Sequence, residues 1–348
     1  MNKSVRIKDI ALKAGVSTGT VDRVLHKRGR VSEEAREKVL KIINELNYEP
    51  NLMARALGSN KTYQIAALIP DYTLDPYWDD ARLGIEKAEK DLRSYGISIK
   101  LYMFDPHDVK LFIKKADEIT ASKPDGILLS PIFYRETLVF FEKWKQMRIP
   151  FAIFNTQVTE FNPLSYIGQD SYQSGQVAGR LVHQGSPEPC YVLIAHIDED
   201  ISNSAHLVKK EQGFKDYFLD NKLPYTILRA ELSRPDLKAF NRQLDGIIEQ
   251  NPNLKHIYVT TSKAFEIATY LEQRGIAHIK ITGYDLVPKN IDYLNKGSIS
   301  FLINQNPKGQ GYWGISYLTD YLVFKKEVPA LKYLPLDIVV KENLSYFL

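Results

Sequence analysis

Within the first sixty residues, Thr18, Gly19, Asp22 and Arg23 fall on one face of a helical stretch, and His26, Lys27, Arg28 and Arg30 follow at once. These residue types suit a nucleic acid. An arginine such as Arg23 can bridge guanine O6 and N7, and Thr18 can meet a base edge or a thymine methyl. Gly19 has no side chain and permits close approach. Asp22 would repel phosphate, so its use is to accept from a cytosine amine or to orient a neighbouring arginine. Lys27, Arg28 and Arg30 suit backbone phosphates, which position a protein on the duplex without reading sequence. The plainer alternative is a three-helix bundle with a solvated charged face.

Elsewhere the residues with chemical potential are scattered. Asp75, Lys210 and Asp285 have side chains for acid–base work, but nothing pairs them with a nucleophile or a metal, so no enzyme activity is expected. There is no serine elbow, zinc-protease helix or P-loop. Gly309-x-Gly311-x-x-Gly314 matches a dinucleotide fingerprint literally, yet Gly309 stands five positions beyond the strand end at Asn304, and Tyr312 and Trp313 sit between the glycines. That stretch reads as a helix after the Gln305 loop, and no cofactor is expected. His196 to Asp200 reads as a polar loop after a strand, with a metal site as the alternative.

The chain has 348 residues. That length corresponds to two or three domains at about 150 residues each. Apolar residues make up 44% and charged residues 25%, a globular composition that excludes global disorder. The single cysteine, Cys190, excludes an internal disulfide or a multi-cysteine metal site. No apolar run is long enough to span a bilayer and no secretory signal is visible, so a cytoplasmic protein without membrane contact is expected. The net charge is +4, but residues 1–62 carry 13 Lys+Arg against 7 Asp+Glu, and residues 63–348 carry 33 against 35. The positive excess therefore sits in the first sixth of the chain, as in a small polyanion-binding module attached to a near-neutral body.

The elements that must position these residues differ between the two parts. Ile7, Ile10, Ala11 and Ala14 repeat at helical spacing, Gly15-Val16-Ser17 makes a turn, and Ser17 caps a second helix with Val21, Val24 and Leu25 on one face. Ser32 caps a third, with Val39, Ile42, Ile43 and Leu46 apolar. Two short helices around a glycine-containing turn describe a helix-turn-helix, whose second helix enters the major groove. From residue 63, nine β-rich runs alternate with helical segments: Ile65–Ile69, Ile99–Phe104, Gly126–Ser130, Phe151–Phe154, Cys190–Ala195, Tyr225–Leu228, His256–Thr260, Ile279–Tyr284 and Phe301–Asn304. Such alternation predicts an α/β region of parallel sheets with helices on both faces, and its length predicts two lobes. Ligands bind beyond the carboxyl ends of strands in such sheets. Thr260-Thr261-Ser262, Tyr284-Asp285 and Asn304-Gln305-Asn306 each follow a strand.

Several ordered blocks in the first part resemble the headpiece of the lactose-repressor (LacI/GalR) family of transcriptional regulators. They are Ile7-Lys8-Asp9-Ile10-Ala11, Ala14-Gly15-Val16-Ser17, Thr20-Val21-x-Arg23-Val24-Leu25, Val31-Ser32-x-x-x-Arg36-x-x-Val39 and Asn47-Tyr48-x-Pro50-Asn51-x-x-Ala54-Arg55-x-Leu57. The resemblance implies a DNA-binding face of Thr18, Gly19, Thr20, Asp22, Arg23, His26, Lys27 and Arg28. It also implies a hinge helix with Asn51, Ala54 and Leu57, in which Leu57 is the minor-groove wedge that kinks the duplex. Many relatives have Ser in place of Asp22 and Asn in place of His26, so no operator sequence carries over.

The remainder resembles the two-lobed, type 1 periplasmic-binding-protein-like domain of the same family. The segments Asp75-Pro76-Tyr77-Trp78, Phe154-Asn155-Thr156, Lys210-x-x-Gly213-Phe214, Thr260-Thr261-Ser262, Gly283-Tyr284-Asp285 and Asn304-Gln305-Asn306-Pro307 carry the likeness. It implies that Asp75, Tyr77, Trp78, Asn155, Lys210, Thr261, Asp285 and Gln305 line an effector cleft between the lobes. Sugar-binding relatives often have Asn at 75, Asp at 155, Arg at 210 and Asn near 261, and this chain differs at all four. The expected organisation is a helix-turn-helix headpiece over 1–49, a hinge and linker over 50–62, and an effector-binding and dimerisation domain over 63–348. The expected protein is a ligand-responsive regulator, a repressor of carbohydrate uptake or catabolism genes, acting as a homodimer on double-stranded operator DNA with a sugar-like effector. The alternatives are a regulator of a non-sugar metabolite or a transporter's solute-binding protein.

Overall fold

The computed structural model describes residues 5–25, 28–46, 48, 61–199 and 201–348. His26, Lys27, Asn51, Ala54 and Leu57 lie outside the described residues, as does most of the expected hinge. The chain forms two compact units, one ending at Gly58 and the other beginning at Ser59. No helix among the described residues is long and apolar enough to cross a membrane.

In the first unit, α1 (Ile7–Ala14), α2 (Thr18–Leu25) and α3 (Glu33–Glu45) pack Ile10, Ala11, Ala14, Val21, Val24 and Val39 into a small core. Gly15 ends α1 in the left-handed region at φ 65°, and its N–H returns to the carbonyls of Ala11 and Leu12. A residue with a Cβ would be strained there. Ser17 Oγ accepts from the Thr20 N–H at 3.1 Å, and Ser32 Oγ accepts from the Ala35 N–H. Both caps fall where the side-chain types predict them.

The second unit is built on two six-stranded sheets. Its first lobe runs β1 (Tyr63–Pro70), α4 (Tyr77–Leu92), β2 (Ile97–Phe104), α5 (Val109–Ser122), β3 (Gly126–Leu129), α6 (Tyr134–Gln146), β4 (Phe151–Phe154) and β5 (Tyr166–Gly168). The second runs α7 (Ser171–Gly185), β6 (Tyr191–Ile197), α8 (Ala205–Asp220), β7 (Thr226–Leu232), α9 (Leu237–Gln250), β8 (Leu254–Val259), α10 (Ala264–Gln273), β9 (Lys280–Tyr284), α11 (Pro288–Lys296) and β10 (Phe301–Asn304). The helix α12 (Pro307–Leu322) then leads back to β11 (Leu331–Tyr333) in the first sheet, and β12 (Asp337–Val339) closes the second. All pairings are parallel except that of β12 with β10. Apolar clusters fill both faces of each sheet.

The chain thus crosses between lobes three times, and two crossings are helices that pack in the lobe they enter. Glycine permits both contacts. A Cβ on Gly84 of α4 would collide with the Lys308 carbonyl at the start of α12, and one on Gly175 of α7 with the Lys210 carbonyl in α8. The glycines of the dinucleotide-like run lie in α12, where Gly311 abuts the Ala81 carbonyl and Gly314 abuts Leu128. Their role is close helix packing.

Three further strands, Tyr166–Gly168, Leu331–Tyr333 and Asp337–Val339, have three residues each, too short for the side-chain pattern to reveal. His196 belongs to β6 rather than to the loop after it. Its ring nitrogens meet Thr260 Oγ1 at 2.8 Å and Glu211 Oε2 at 2.9 Å. Tyr77 and Trp78 form the first turn of α4.

Candidate ligand cleft and DNA-facing helix

The strands of both sheets end at one cleft between the lobes of the second unit. Asp75, Tyr77, Trp78 and Asn155 line it from the first lobe, and Lys210, Thr261, Asp285 and Gln305 from the second. The eight residues named for the effector are therefore neighbours in space. Asp75 Oδ1 accepts from the Tyr77 N–H, which fixes the start of α4. Tyr77 and Trp78 meet edge to face at 4.9 Å, and Trp78 rests on Phe154. Asn155 donates to the Tyr77 hydroxyl at 2.6 Å.

Asn155, directly after β4, has φ 67°, and Asp285, directly after β9, has φ 65°. Both are in the left-handed region, which short polar side chains tolerate best and which is costly for others. Matching strand ends of the two lobes thus turn sharply to present an amide on one side and a carboxylate on the other.

Lys210 is buried, with 3% of its surface exposed. Its ammonium donates to the Thr260 carbonyl and to Gln305 Oε1, both at 3.2 Å, and lies 3.6 Å from the centroid of the Tyr284 ring. The Gln305 side chain then donates to Asp285 Oδ2 at 2.6 Å, and its backbone N–H to Asp285 Oδ1 at 3.1 Å. Burial lowers the pKa of Lys210 and raises that of Asp285, each opposed by the charge of the other.

Residues not assigned to the effector from sequence complete the cleft. His107, Asp198, Glu199, His206, Ser262 and Lys263 also line it. Asp198 Oδ1 accepts from the Arg234 N–H at 2.6 Å, and Oδ2 pairs with Lys263 at 3.0 Å. Burial pushes the Glu199 carboxyl up to about 7, with Lys263 opposing and Asp75 and Asp198 adding to the shift. Burial and the charge of Lys210 hold His206 down at about 3, so it is neutral. The fully buried Asn290 ties the walls together: its Nδ2 donates to the carbonyls of Ser262, Tyr284 and Asp285, and its Oδ1 accepts from the Phe265 N–H. The signal that could have found Asp198 and Glu199 is their position directly after β6, the rule already applied to β8, β9 and β10.

Behind Glu211, a second network braces the cleft floor. Burial works against its charge, but Lys215, His196 and Arg229 all donate to it and hold it down at about 2. Among the described residues no three His, Cys, Asp or Glu side chains are arranged to hold a metal ion.

In the first unit, α2 buries Val21 and Val24 and leaves Thr18, Gly19, Asp22 and Arg23 exposed on its other face. Thr20 is half-buried, with its hydroxyl 3.0 Å from that of Ser17, and Arg28 is exposed. An exposed helix face with a guanidinium, small residues and a following basic residue matches what major-groove reading requires.

Residues 65–326 match the periplasmic binding protein domain, and residues 6–51 match the bacterial regulatory proteins of the lacI family. The ribose operon repressor of Halalkalibacterium halodurans is 28% identical over 287 residues, which span 81% of this chain and 80% of that protein. The ribose operon repressor of Bacillus subtilis is 27% identical over 288 residues, 82% of each chain. A crystal structure described as a LacI transcriptional regulator from Bacteroides fragilis superposes with a TM-score of 0.78 and 31% identity, covering 82% of this chain and 99% of that one. With the helix-turn-helix and the two-lobed cleft both in place, the chain belongs to the lacI family of bacterial regulatory proteins, joining a DNA-binding headpiece to a periplasmic-binding-protein-like domain.

Proposed function

We propose that this regulator represses carbohydrate uptake or catabolism genes and that a small polyhydroxylated effector, bound between the two lobes, controls its hold on operator DNA. The observation that carries the reading is the composition of the cleft. Carboxylates, amides and two ammonium groups line it, and Tyr77 and Trp78 supply aromatic surface beside them. Sugar hydroxyls both donate and accept, and charged partners make the stronger of these hydrogen bonds. The relatives named for ribose operons support a pentose or hexose scale of ligand.

Asp75, Tyr77, Trp78, Asn155, Lys210, Thr261, Asp285 and Gln305 are the proposed effector contacts. Thr18, Gly19, Thr20, Asp22, Arg23 and Arg28 are the proposed DNA contacts. A homodimer would present two headpieces to a pseudo-palindromic site. The effector acts only through a difference in its affinity for the operator-competent and incompetent states. Calorimetric titration of pentoses and hexoses into the full-length protein, with operator fragments selected from random DNA as the second ligand, tests both halves. Sugar binding that changes operator affinity is the expected result. Failure of every sugar to bind sinks the effector reading, and failure to select any sequence sinks the operator reading.

A further inference from the structure

We propose that the effector carries a protonated amine, as an amino sugar does, and that this amine bridges Asp75 of the first lobe and Glu199 of the second. The inference rests on the cleft being the sugar site argued above. It follows from which polar atoms the protein leaves unsatisfied. Four carboxylates, Asp75, Asp198, Glu199 and Asp285, line the cleft against two ammonium groups, Lys210 and Lys263. Asp198 is committed on both oxygens, to the Arg234 N–H and to Lys263, and Asp285 on both, to Gln305. Lys210 spends two donors on Thr260 and Gln305 and covers the Tyr284 ring.

What remains is Glu199, which accepts no hydrogen bond from any described residue, and Oδ2 of Asp75, whose other oxygen takes the Tyr77 N–H. These carboxylates belong to opposite walls of one cavity and feel each other's charge. With both ionised, two like charges across a cleft oppose its closure. A neutral sugar can donate hydroxyls to both and still leave the repulsion in place. An ammonium offers three donors and removes it. A sugar phosphate or uronic acid adds a further negative charge. A metal ion is the weaker candidate, because no three ligating side chains converge among the described residues.

The test is binding of matched sets to the full-length protein: a neutral hexose or pentose, its 2-amino-2-deoxy form, the N-acetylated amine and the uronic acid, with a simple alkylamine beside them. The amine is expected to bind at least about tenfold more tightly than its neutral parent and its N-acetyl form, as a charge-assisted hydrogen bond implies. Raising the salt concentration should shrink that preference in the unmodified protein. Glu199→Gln should abolish that preference, read as the ratio of amine to neutral-parent affinity, and Asp75→Asn should reduce it, whatever either variant does to the neutral parent itself. A neutral parent that binds as well as its amine, or an acid that binds best, overturns the bridge and leaves the sugar reading standing. Binding of simple alkylamines with no sugar binding at all supports the bridge and overturns the sugar reading. No binding by any member overturns both.

Discussion

Lys210 and Asp285 carry opposite charges into the same cleft without touching, because the side-chain amide of Gln305 stands between them. Its oxygen accepts from Lys210 at 3.2 Å and its nitrogen donates to Asp285 at 2.6 Å. A direct pair would satisfy itself. The relay instead ties α8 to the ends of β9 and β10. Gln305 also opens the crossover into α12, the segment that joins the lobes.

The relay makes the two charges energetically interdependent. Removing the cation in Lys210→Met leaves a buried carboxylate uncompensated and is expected to lower unfolding stability by about 3 kcal/mol. Adding Asp285→Asn should recover much of that loss, so the double variant should be more stable than the sum of the single effects predicts. Denaturant unfolding of the four proteins measures the coupling, and strictly additive losses would contradict it.

Glu199 predicts a pH dependence with a definite sign. Its folded-state pKa lies at about 7, above the ordinary 4.5. The folded protein therefore holds this proton more tightly than the unfolded chain does, and that stabilisation is full below 4.5 and lost as pH rises through 7. Glu199→Gln removes the ionisation. It should stabilise the ligand-free protein at pH 8 by on the order of 2 kcal/mol, with no gain near pH 4.5. Thermal unfolding of both proteins across this range checks the expectation, and a gain independent of pH would refute it.

Gly84 and Gly246 give opposite predictions for the same substitution. A Cβ at Gly84 meets the Lys308 backbone, whereas one at Gly246, within α9, meets nothing. Gly84→Ala must push α12 off α4 and should cost about 1–3 kcal/mol. Gly246→Ala should stabilise by about 0.5–1 kcal/mol, because alanine loses less backbone entropy in a helix. Unfolding midpoints that move in the same direction would show that helix contact does not decide the outcome.

The two architectures could be read from the side chains because their strongest signals are long. α1 to α3 follow from apolar spacing and from Gly15, Ser17 and Ser32, and the nine longer strands from β-rich runs between helical stretches. β5, β11 and β12 have three residues each, too few for any period to register, and they pair with segments remote in sequence. In the cleft, the eight named residues came from segments whose motifs and strand-end positions mark them. Glu199 follows β6 and so stands at a strand end, but it and Lys263 are charged loop residues, which read as solvated until the opposite lobe is brought against them. Asn290 was illegible for a related reason: its hydrogen bonds go to three carbonyls and an N–H that only the folded loops bring together.

Arg23 and Arg28 should separate sequence reading from phosphate binding on the headpiece. Arg23 lies on the exposed face of α2, opposite Val21 and Val24, so Arg23→Ala removes no core contact. If its guanidinium reads a guanine, the substitution should cost about 1–3 kcal/mol on a selected operator and much less on random duplex. Arg28, exposed beyond the end of α2, suits a phosphate. Arg28→Ala should weaken binding to both DNAs alike and reduce the slope of log affinity against log salt by about 1. Anisotropy titrations of the full-length protein on both duplexes over a salt series distinguish the two roles, and equal losses on operator and random DNA for Arg23→Ala would remove it from the reading face.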